Sequence, residues 1–401
     1  MRKKFTTHAL KILMLTSSYP VAGAYSGTAI QNIAHTLIKN EMVKVGILIF
    51  SPSKKFSCYD DRYDVRVMKY PYSWFLPPLL HKSRGIIPSI RNNLLAILVL
   101  PFYFFSTFLF LYKYAKMYDI IHAHWLIPSG YISLMYGFFF KTPIVVTARG
   151  AEFHLPNTFL IRFILNLVIK GATCCTTVSN YMRSRARKYG LDVNRVIVIT
   201  NAVDPSKFNN ERPKKKKVII GTVRRLVPEK RIEDLLKAFN NLPLNLKEKC
   251  EVWIIGDGPD KNRLEKIAEE SKTAKFTKFF GMIPYDDIPE LLSQIDICIN
   301  PSIQEGMANI NLESMAAGCC TIATNGYGND EVIKDGENGL LYEPKNIIQL
   351  SLLLKRCIRN FPYHIGINAK KTIKKDFTID KITDEYVKIY EKLLEKKHKL
   401  I

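Results

Sequence analysis

Two glutamates eight positions apart, Glu305 and Glu313 in SIQEGMANINLESMAAG (Ser302 to Gly318), carry the clearest chemical signal in this chain. The run QIDICIN before them reads as a buried strand, PSIQEG as a loop, and NINLESMAAG has the apolar spacing and closing glycine of a helix. Glu313 is therefore predicted on the helix and Glu305 ahead of it. Backbone N–H groups of Gly306, Met307, Ala308 and Asn309 would face whatever lies before the helix, whose dipole adds partial positive charge there, a setting that suits a phosphate. Carboxylates suit hydroxyl donors. A ligand combining phosphate with sugar hydroxyls, such as a sugar nucleotide, satisfies both demands.

The elements that must position these residues follow from alternation. KILMLTSSYP, a glycine loop AGAYSGTAI, QNIAHTLIKNEM and VKVGILIF form a strand, loop, helix and strand, and the pattern recurs through DIIHAH, TPIVVTARG and CCTTVSN. After NNERPKKKK (Asn209 to Lys217) a second series begins: VIIGTV, EVWIIGDG, DICINPS and CTIATN. Such alternation predicts parallel sheets with helices on both faces. At 401 residues the chain exceeds what one core usually organises, so two domains are expected. We place the first at residues 1–207 and the second at 208–379, with an amphipathic C-terminal helix at 380–399. The tetralysine run reads as a solvated boundary. Parallel sheets bind ligands at the C-terminal ends of their strands.

Taken with GTVRRLVPEKR (Gly221 to Arg231), WIIGDGPDKNRLE (Trp253 to Glu265), GMIPYDDIPELLSQIDICINPS (Gly281 to Ser302) and DGENGLLYEP (Asp335 to Pro344), the glutamate pair resembles the E-x7-E signature of the retaining glycosyltransferases of family 4. DIIHAHWLIPSG, TARGAEF and VITNAVDPSKF extend that resemblance through the first half. It implies an α/β protein of the GT-B fold, two Rossmann-like domains facing across a cleft with the C-terminal helix 380–399 packing back on the first, that moves a sugar from a UDP- or GDP-sugar donor to an acceptor without a cofactor or metal. By the same resemblance Arg225 and Lys230 hold the donor diphosphate. Glu305, with Gly306, Met307 and Ala308, binds the transferred sugar, Asn309 adds to donor binding, and Glu313 accepts from the ribose. Gly256, Gly258, Pro259 and the loop containing Ile283 wall the base, and Gly27 lets backbone approach the diphosphate. Arg224 and Arg231 stand where the family commonly has glycine. Arg224 is expected either to add a phosphate contact or to point to solvent.

The acceptor side is expected around His122, His124, Arg149 and Glu152. Arg149 replaces a family histidine, so no histidine base is assigned, and His122 and His124 are read either as cleft residues or as satisfied structural histidines. Two histidines at i and i+2 on a strand do not make a zinc site. Asp286-Asp287 reads as a helix N-cap rather than a metal motif. Retention needs no protein nucleophile if the donor phosphate deprotonates the acceptor on the same face.

Lys+Arg 59 against Asp+Glu 36 gives a formal charge of +23, which favours a polyanionic partner. Lysine-rich composition alone is the plainer alternative, and no aromatic-interleaved nucleic-acid motif occurs. Residues 92–112 form an uncharged stretch long enough to span a bilayer, yet Pro101 near its middle and the flanking motifs favour a pair of interfacial or core-buried helices. Lys69 to Arg84 and Phe159 to Lys170 mix aromatic, leucine and basic residues in the manner of a membrane surface; the alternative for each is a core helix. No signal peptide is indicated, and eight cysteines without C-x-x-C read as reduced residues of a cytosolic protein. The expected function is sugar transfer to a lipid-linked or glycan acceptor for cell-surface polysaccharide or glycolipid, peripherally bound at the inner face of the cell membrane. A sugar-nucleotide epimerase of the same fold and a non-catalytic basic adaptor are the alternatives.

Overall fold

The computed structural model describes residues 9–20, 27–39, 43–51, 55–60, 65–71, 79–80, 95–213 and 215–398. The N-terminal basic start and most of the Lys69 to Arg84 stretch lie outside them. The chain divides into two compact units: Ser26–Ile199 with the strand before it and Ile382–Ile401, and Thr200–Lys381. The division falls at Ile199 rather than after Lys207. The reason is local: Val203 N donates to Phe377 O at 3.0 Å, Ile379 N donates to Val203 O at 2.9 Å, and Asn201 Nδ2 donates to Met307 O at 3.0 Å.

The first unit runs β1 (Leu10–Thr16), α1 (Thr28–Ile38), β2 (Val43–Ser51), β3 (Ser57–Asp60), β4 (Arg66–Pro71), α2 (Ala96–Tyr114), β5 (Ile120–His124), α3 (Tyr131–Phe140), β6 (Ile144–Ala148), α4 (Phe159–Gly171), β7 (Cys174–Thr177), α5 (Asn180–Lys188) and β8 (Val196–Val198). Its eight strands lie in the order β3-β4-β2-β1-β5-β6-β7-β8, all parallel except β3 on β4. Every residue of β5 and β6 is buried, as expected of inner parallel strands covered on both faces. The crossovers through α2, α3 and α4 all advance toward β7, so right-handed connections put these three helices on one face of the sheet. α1, whose crossover runs the other way, takes the opposite face.

The 92–112 stretch forms one helix over its described part, not the expected pair. Pro101 lies inside α2 on the exposed side, where the backbone bond it forgoes, to Ile97, faces outward. The inner side of α2 is tied to the sheet. Tyr70 of β4 hydrogen-bonds Thr107 at 2.7 Å, Ser106 donates to Pro71 O, and Tyr103 meets Phe50 of β2 edge to face at 5.4 Å.

The second unit runs β9 (Val218–Val223), α6 (Ile232–Asn240), α7 (Leu244–Lys247), β10 (Cys250–Ile255), α8 (Lys261–Glu270), β11 (Thr277–Gly281), α9 (Ile288–Gln294), β12 (Ile297–Asn300), α10 (Asn309–Ala316), β13 (Cys320–Thr324), β14 (Leu340–Tyr342), α11 (Ile347–Arg359) and α12 (Tyr363–Asp376). Its six parallel strands lie in the order β11-β10-β9-β12-β13-β14 around a core that includes Ile220, Ile254, Ile299, Ile322, Leu236 and Leu354. α13 (Ile379–His398) starts in the second unit and belongs to the first from Ile382. Lys215 of the tetralysine run is not simply solvated: its Nζ pairs with Asp296 at 2.8 Å, beside Arg212 at 3.2 Å. Asp287 takes the N-cap place of α9 as expected, yet its side chain makes no capping bond. All eight cysteines are free, and six are buried.

Candidate functional site

In the second unit the residues singled out by sequence gather beyond the C-terminal ends of β9 to β12. Glu305 lies between two cations: Lys230 Nζ is 2.7 Å from Glu305 Oε1 and Arg224 Nη2 is 2.8 Å from the same oxygen. Lys230 also donates to Gln304 O at 3.3 Å. Burial alone would raise the Glu305 carboxyl, but Lys230 and Arg224 outweigh it and hold the group below its ordinary value. Burial lowers Lys230, and Arg224 adds to this, while Glu305 opposes both. The cluster is thus one anion held by two desolvated cations, with a net positive charge.

The arginine in this cluster is Arg224, not Arg225. Residues at a strand end alternate sides, and here Arg225 is exposed while the Arg224 side chain turns inward, 6% exposed, neither pointing to solvent nor lacking an anionic partner. Arg224 Nη1 also donates to Asn300 Oδ1, and its Nε is buried without a partner. Behind it runs a buried amide chain. Asn300 Nδ2 donates to Asn311 Oδ1 at 2.9 Å, Asn311 Nδ2 to Asn329 Oδ1 at 2.8 Å, and Asn329 Nδ2 to Thr324 O at 2.9 Å. These asparagines escaped the sequence reading because no short-range spacing joins them. Arg231, the other residue in a customary glycine place, has φ 49°, the left-handed conformation that favours glycine. A two-pronged pair with Asp234, both contacts at 2.7 Å, holds it there.

Glu313 lies on α10 and Glu305 ahead of it, as read from the sequence. Glu313 is buried, accepts from Tyr285 Oη at 3.0 Å, and burial pushes its carboxyl up to about 7 despite that bond. Met307 and Ala308 are buried, Gly306 is half-buried, and Asn309 Oδ1 is buried without a partner. Gly256 and Gly258 serve loop packing: a Cβ on either would come within 2.0 Å of the backbone oxygen of Arg224 or Leu226. They let the β10 loop close against the β9 loop that carries Arg224. Pro259 beside them is exposed, and Ile283 is half-buried in the loop after β11.

In the first unit β5 and β6 bring the four acceptor-side residues together. His122 is fully buried with both ring nitrogens engaged, Nδ1 with Tyr390 Oη at 2.7 Å and Nε2 with Thr147 Oγ1 at 2.8 Å. Burial, and then the Arg149 charge, lower it to about 3, so it is neutral at physiological pH. This is a satisfied structural histidine. His124 differs: its Nδ1 accepts from Arg149 Nη2 at 3.3 Å, which leaves the ring hydrogen on Nε2, and that atom is buried without a partner. Glu152 accepts from the backbone N–H groups of Gly150 at 2.7 Å, Leu126 at 2.9 Å and Arg149 at 3.3 Å. It holds the loops after β5 and β6. Gly27, at φ 93°, is packed so that a Cβ would lie 2.5 Å from Ser18 O.

Comparison with known proteins bears on what binds here. Residues 203–372 match the family described as Glycosyl transferases group 1, and residues 47–207 match Glycosyltransferase Family 4. Two uncharacterised glycosyltransferases of Methanocaldococcus jannaschii are 27% identical over 69% of this chain and 76% of theirs, and 25% identical over 87% and 90%. A putative teichuronic acid biosynthesis glycosyltransferase of Bacillus subtilis, TuaC, is 25% identical over 59% of this chain and 61% of its own. Among solved structures, sucrose-phosphate synthase from Thermosynechococcus elongatus superposes with TM-score 0.79 at 16% identity, covering 96% of this chain and all (100%) of that one. Anabaena HepE in complex with UDP-glucose superposes with TM-score 0.73 at 17% identity, covering 96% and 100%.

Proposed function

We propose that this chain, which belongs to the group 1 and family 4 glycosyltransferases and has their GT-B fold, transfers a sugar with retention from a nucleotide sugar to a lipid-linked or glycan acceptor in cell-surface polysaccharide or glycolipid synthesis. The observation that carries this is the cluster of Arg224, Lys230 and Glu305 beside the buried Glu313. A nucleotide sugar brings two phosphate charges and leaves with more once the anomeric C–O bond breaks. Lys230 and the neighbouring arginines supply fixed positive charge for the leaving diphosphate, the largest single demand on such a site. Glu305, held by those cations, accepts from hydroxyls of the transferred sugar, and Glu313 accepts from the ribose. The incoming hydroxyl is deprotonated by the donor phosphate on the face the leaving group occupies. No protein nucleophile is required, and the cations make a divalent metal dispensable.

On the acceptor side His124 Nε2–H, a donor without a partner, meets an acceptor oxygen, with Arg149 fixing the ring and Glu152 fixing the loop. The UDP-glucose complex of HepE supports a UDP-sugar as donor, and the likeness to TuaC supports a cell-surface glycan pathway. The test is nucleotide release from a panel of UDP- and GDP-sugars with membrane lipid extract as acceptor source, for native protein and Glu305→Ala. Release with one donor, insensitive to chelator and lost in the variant, is expected. Chelator-sensitive turnover would remove the metal-independent part, and acceptor-independent epimerisation of the donor sugar would replace the transferase reading.

A further inference from the structure

We infer that the outer face of α2, α3 and α4 is a docking surface for an anionic lipid bilayer. On α2 the residues Leu95, Leu98, Phe102, Phe105, Leu109 and Tyr112, spaced alternately by three and four, are exposed, while Val99, Tyr103, Ser106 and Leu111 are buried against the sheet. The helix is apolar on both sides and uses only one. α3 and α4 continue the pattern: Phe138 is 79% exposed and Phe159 is 77% exposed, with Phe139, Leu160, Phe163 and Leu167 beside them. The helices touch one another. Phe104 meets Tyr131 at 6.1 Å and Tyr112 meets Phe140 at 5.4 Å, so α2 and α3 run parallel and their exposed residues form one surface.

A contiguous face of this kind is unusual on a monomer, and its charge names the occupant. None of the three helices carries an Asp or Glu. Their C-terminal ends, aligned because the crossovers run the same way, present Lys113, Lys116, Lys141 and Lys170, all exposed, Lys170 lying 3.6 Å from Asp192. A row of lysines at one margin of an aromatic face, with Lys116 Nζ 4.2 Å over the Tyr112 ring and Lys113 Nζ 5.3 Å over the Tyr114 ring, matches phosphate headgroups above acyl chains. The anionic cytoplasmic leaflet attracts each such charge. A second copy would meet like charge. A bilayer span by α2 would strip away the hydrogen bonds from Tyr70 and to Pro71 that fix its inner side.

The docking claim rests on this surface; the transferase reading supplies only its purpose, bringing the enzyme to a lipid-linked acceptor. The experiment is flotation of the full chain with phosphatidylcholine vesicles, with and without phosphatidylglycerol, for native protein, Phe138→Ser/Phe159→Ser/Phe163→Ser and Lys113→Glu/Lys116→Glu/Lys141→Glu. Both variants change exposed side chains, and an unchanged melting curve verifies their folding. Native protein should float with the phosphatidylglycerol vesicles and be released by alkaline carbonate. Each variant should bind at least about tenfold more weakly, the lysine variant losing its dependence on anionic lipid. Equal flotation of all three proteins, no flotation of native protein, a dimer abolished by the serine substitutions, or resistance to carbonate would each overturn the proposal. Nucleotide release with detergent-dispersed lipid extract as acceptor source, free of vesicles, is read separately, so failure there leaves the surface standing and sinks only the transferase.

Discussion

With Glu313 in its proposed role as acceptor from the donor ribose, nucleotide binding should be a proton-linked event. Raising a carboxyl from 4.5 to about 7 corresponds to about 3 kcal/mol in favour of the neutral acid. Among the described residues Tyr285 Oη donates to it, at 3.0 Å. Ribose hydroxyls would add donors that favour the carboxylate, so binding should release the proton. Near pH 7 about half of the molecules carry it, and titration calorimetry in buffers of different ionisation enthalpy should therefore report about half a proton released per donor bound. The diphosphate diester of a nucleotide sugar does not titrate there and adds nothing. Affinity should rise with pH up to about 7 and level off above. Glu313→Gln should release none and flatten that profile. The folded state has the linkage of the opposite sign: its raised carboxyl binds more protons than the unfolded chain between about 4.5 and 7, so this group's contribution to stability falls as pH rises through that window. Glu313→Gln should then gain up to about 3 kcal/mol in denaturant unfolding at pH 8 relative to native protein, and little at pH 5. Buffer-independent binding enthalpy in the native protein, or equal proton release in the variant, would refute the reasoning.

Three further outcomes follow from the site. Glu305→Gln should lower turnover by about two to three orders of magnitude and, by leaving Arg224 and Lys230 without their anion, cost about 3–5 kcal/mol in urea unfolding; unchanged stability would show that the cations find other partners. Tyr390→Phe should cost about 1 kcal/mol and leave the pH profile of turnover unaltered, since His122 stays neutral across it; a shifted profile would give that histidine a chemical role. Asn311→Ala should destabilise by about 1–3 kcal/mol, because Asn300 and Asn329 lose a buried partner, and raise the donor KM through Arg224 more than it lowers kcat.

What the sequence discloses divides along physical lines. Alternating strands and helices and the placement of Glu305 and Glu313 depend on local period and on motif spacing, and they are legible; the ion pair of Lys230 with Glu305, 75 positions apart, is not. Which of two adjacent arginines faces the site depends on where β9 stops alternating, which a run reading VRRL does not disclose. His122 is paired with Tyr390, a residue 268 positions away on the last helix, a distance beyond any short-range pattern. α2 is the sharpest case. Both its stripes are apolar, so periodicity cannot say which is buried, and Pro101 suggests a break where the helix continues because its missing bond lies on the outer side.

The asparagine chain behind Arg224 has a polarity. A guanidinium can only donate, so Asn300 must turn its oxygen toward it; a backbone carbonyl can only accept, so Asn329 must turn its nitrogen toward Thr324. With both ends settled, Asn311 between them has one orientation, and the three amide dipoles align with their negative ends toward the cation. The row behaves as a lock whose key is the sign of the group at position 224. Lysine preserves the sense, whereas an acceptor such as glutamate would require every rung to reverse while the Thr324 carbonyl forbids it. This pocket is therefore wired for positive charge before any donor arrives, and the ends of β9, β12 and β13 are bound into one rigid rim.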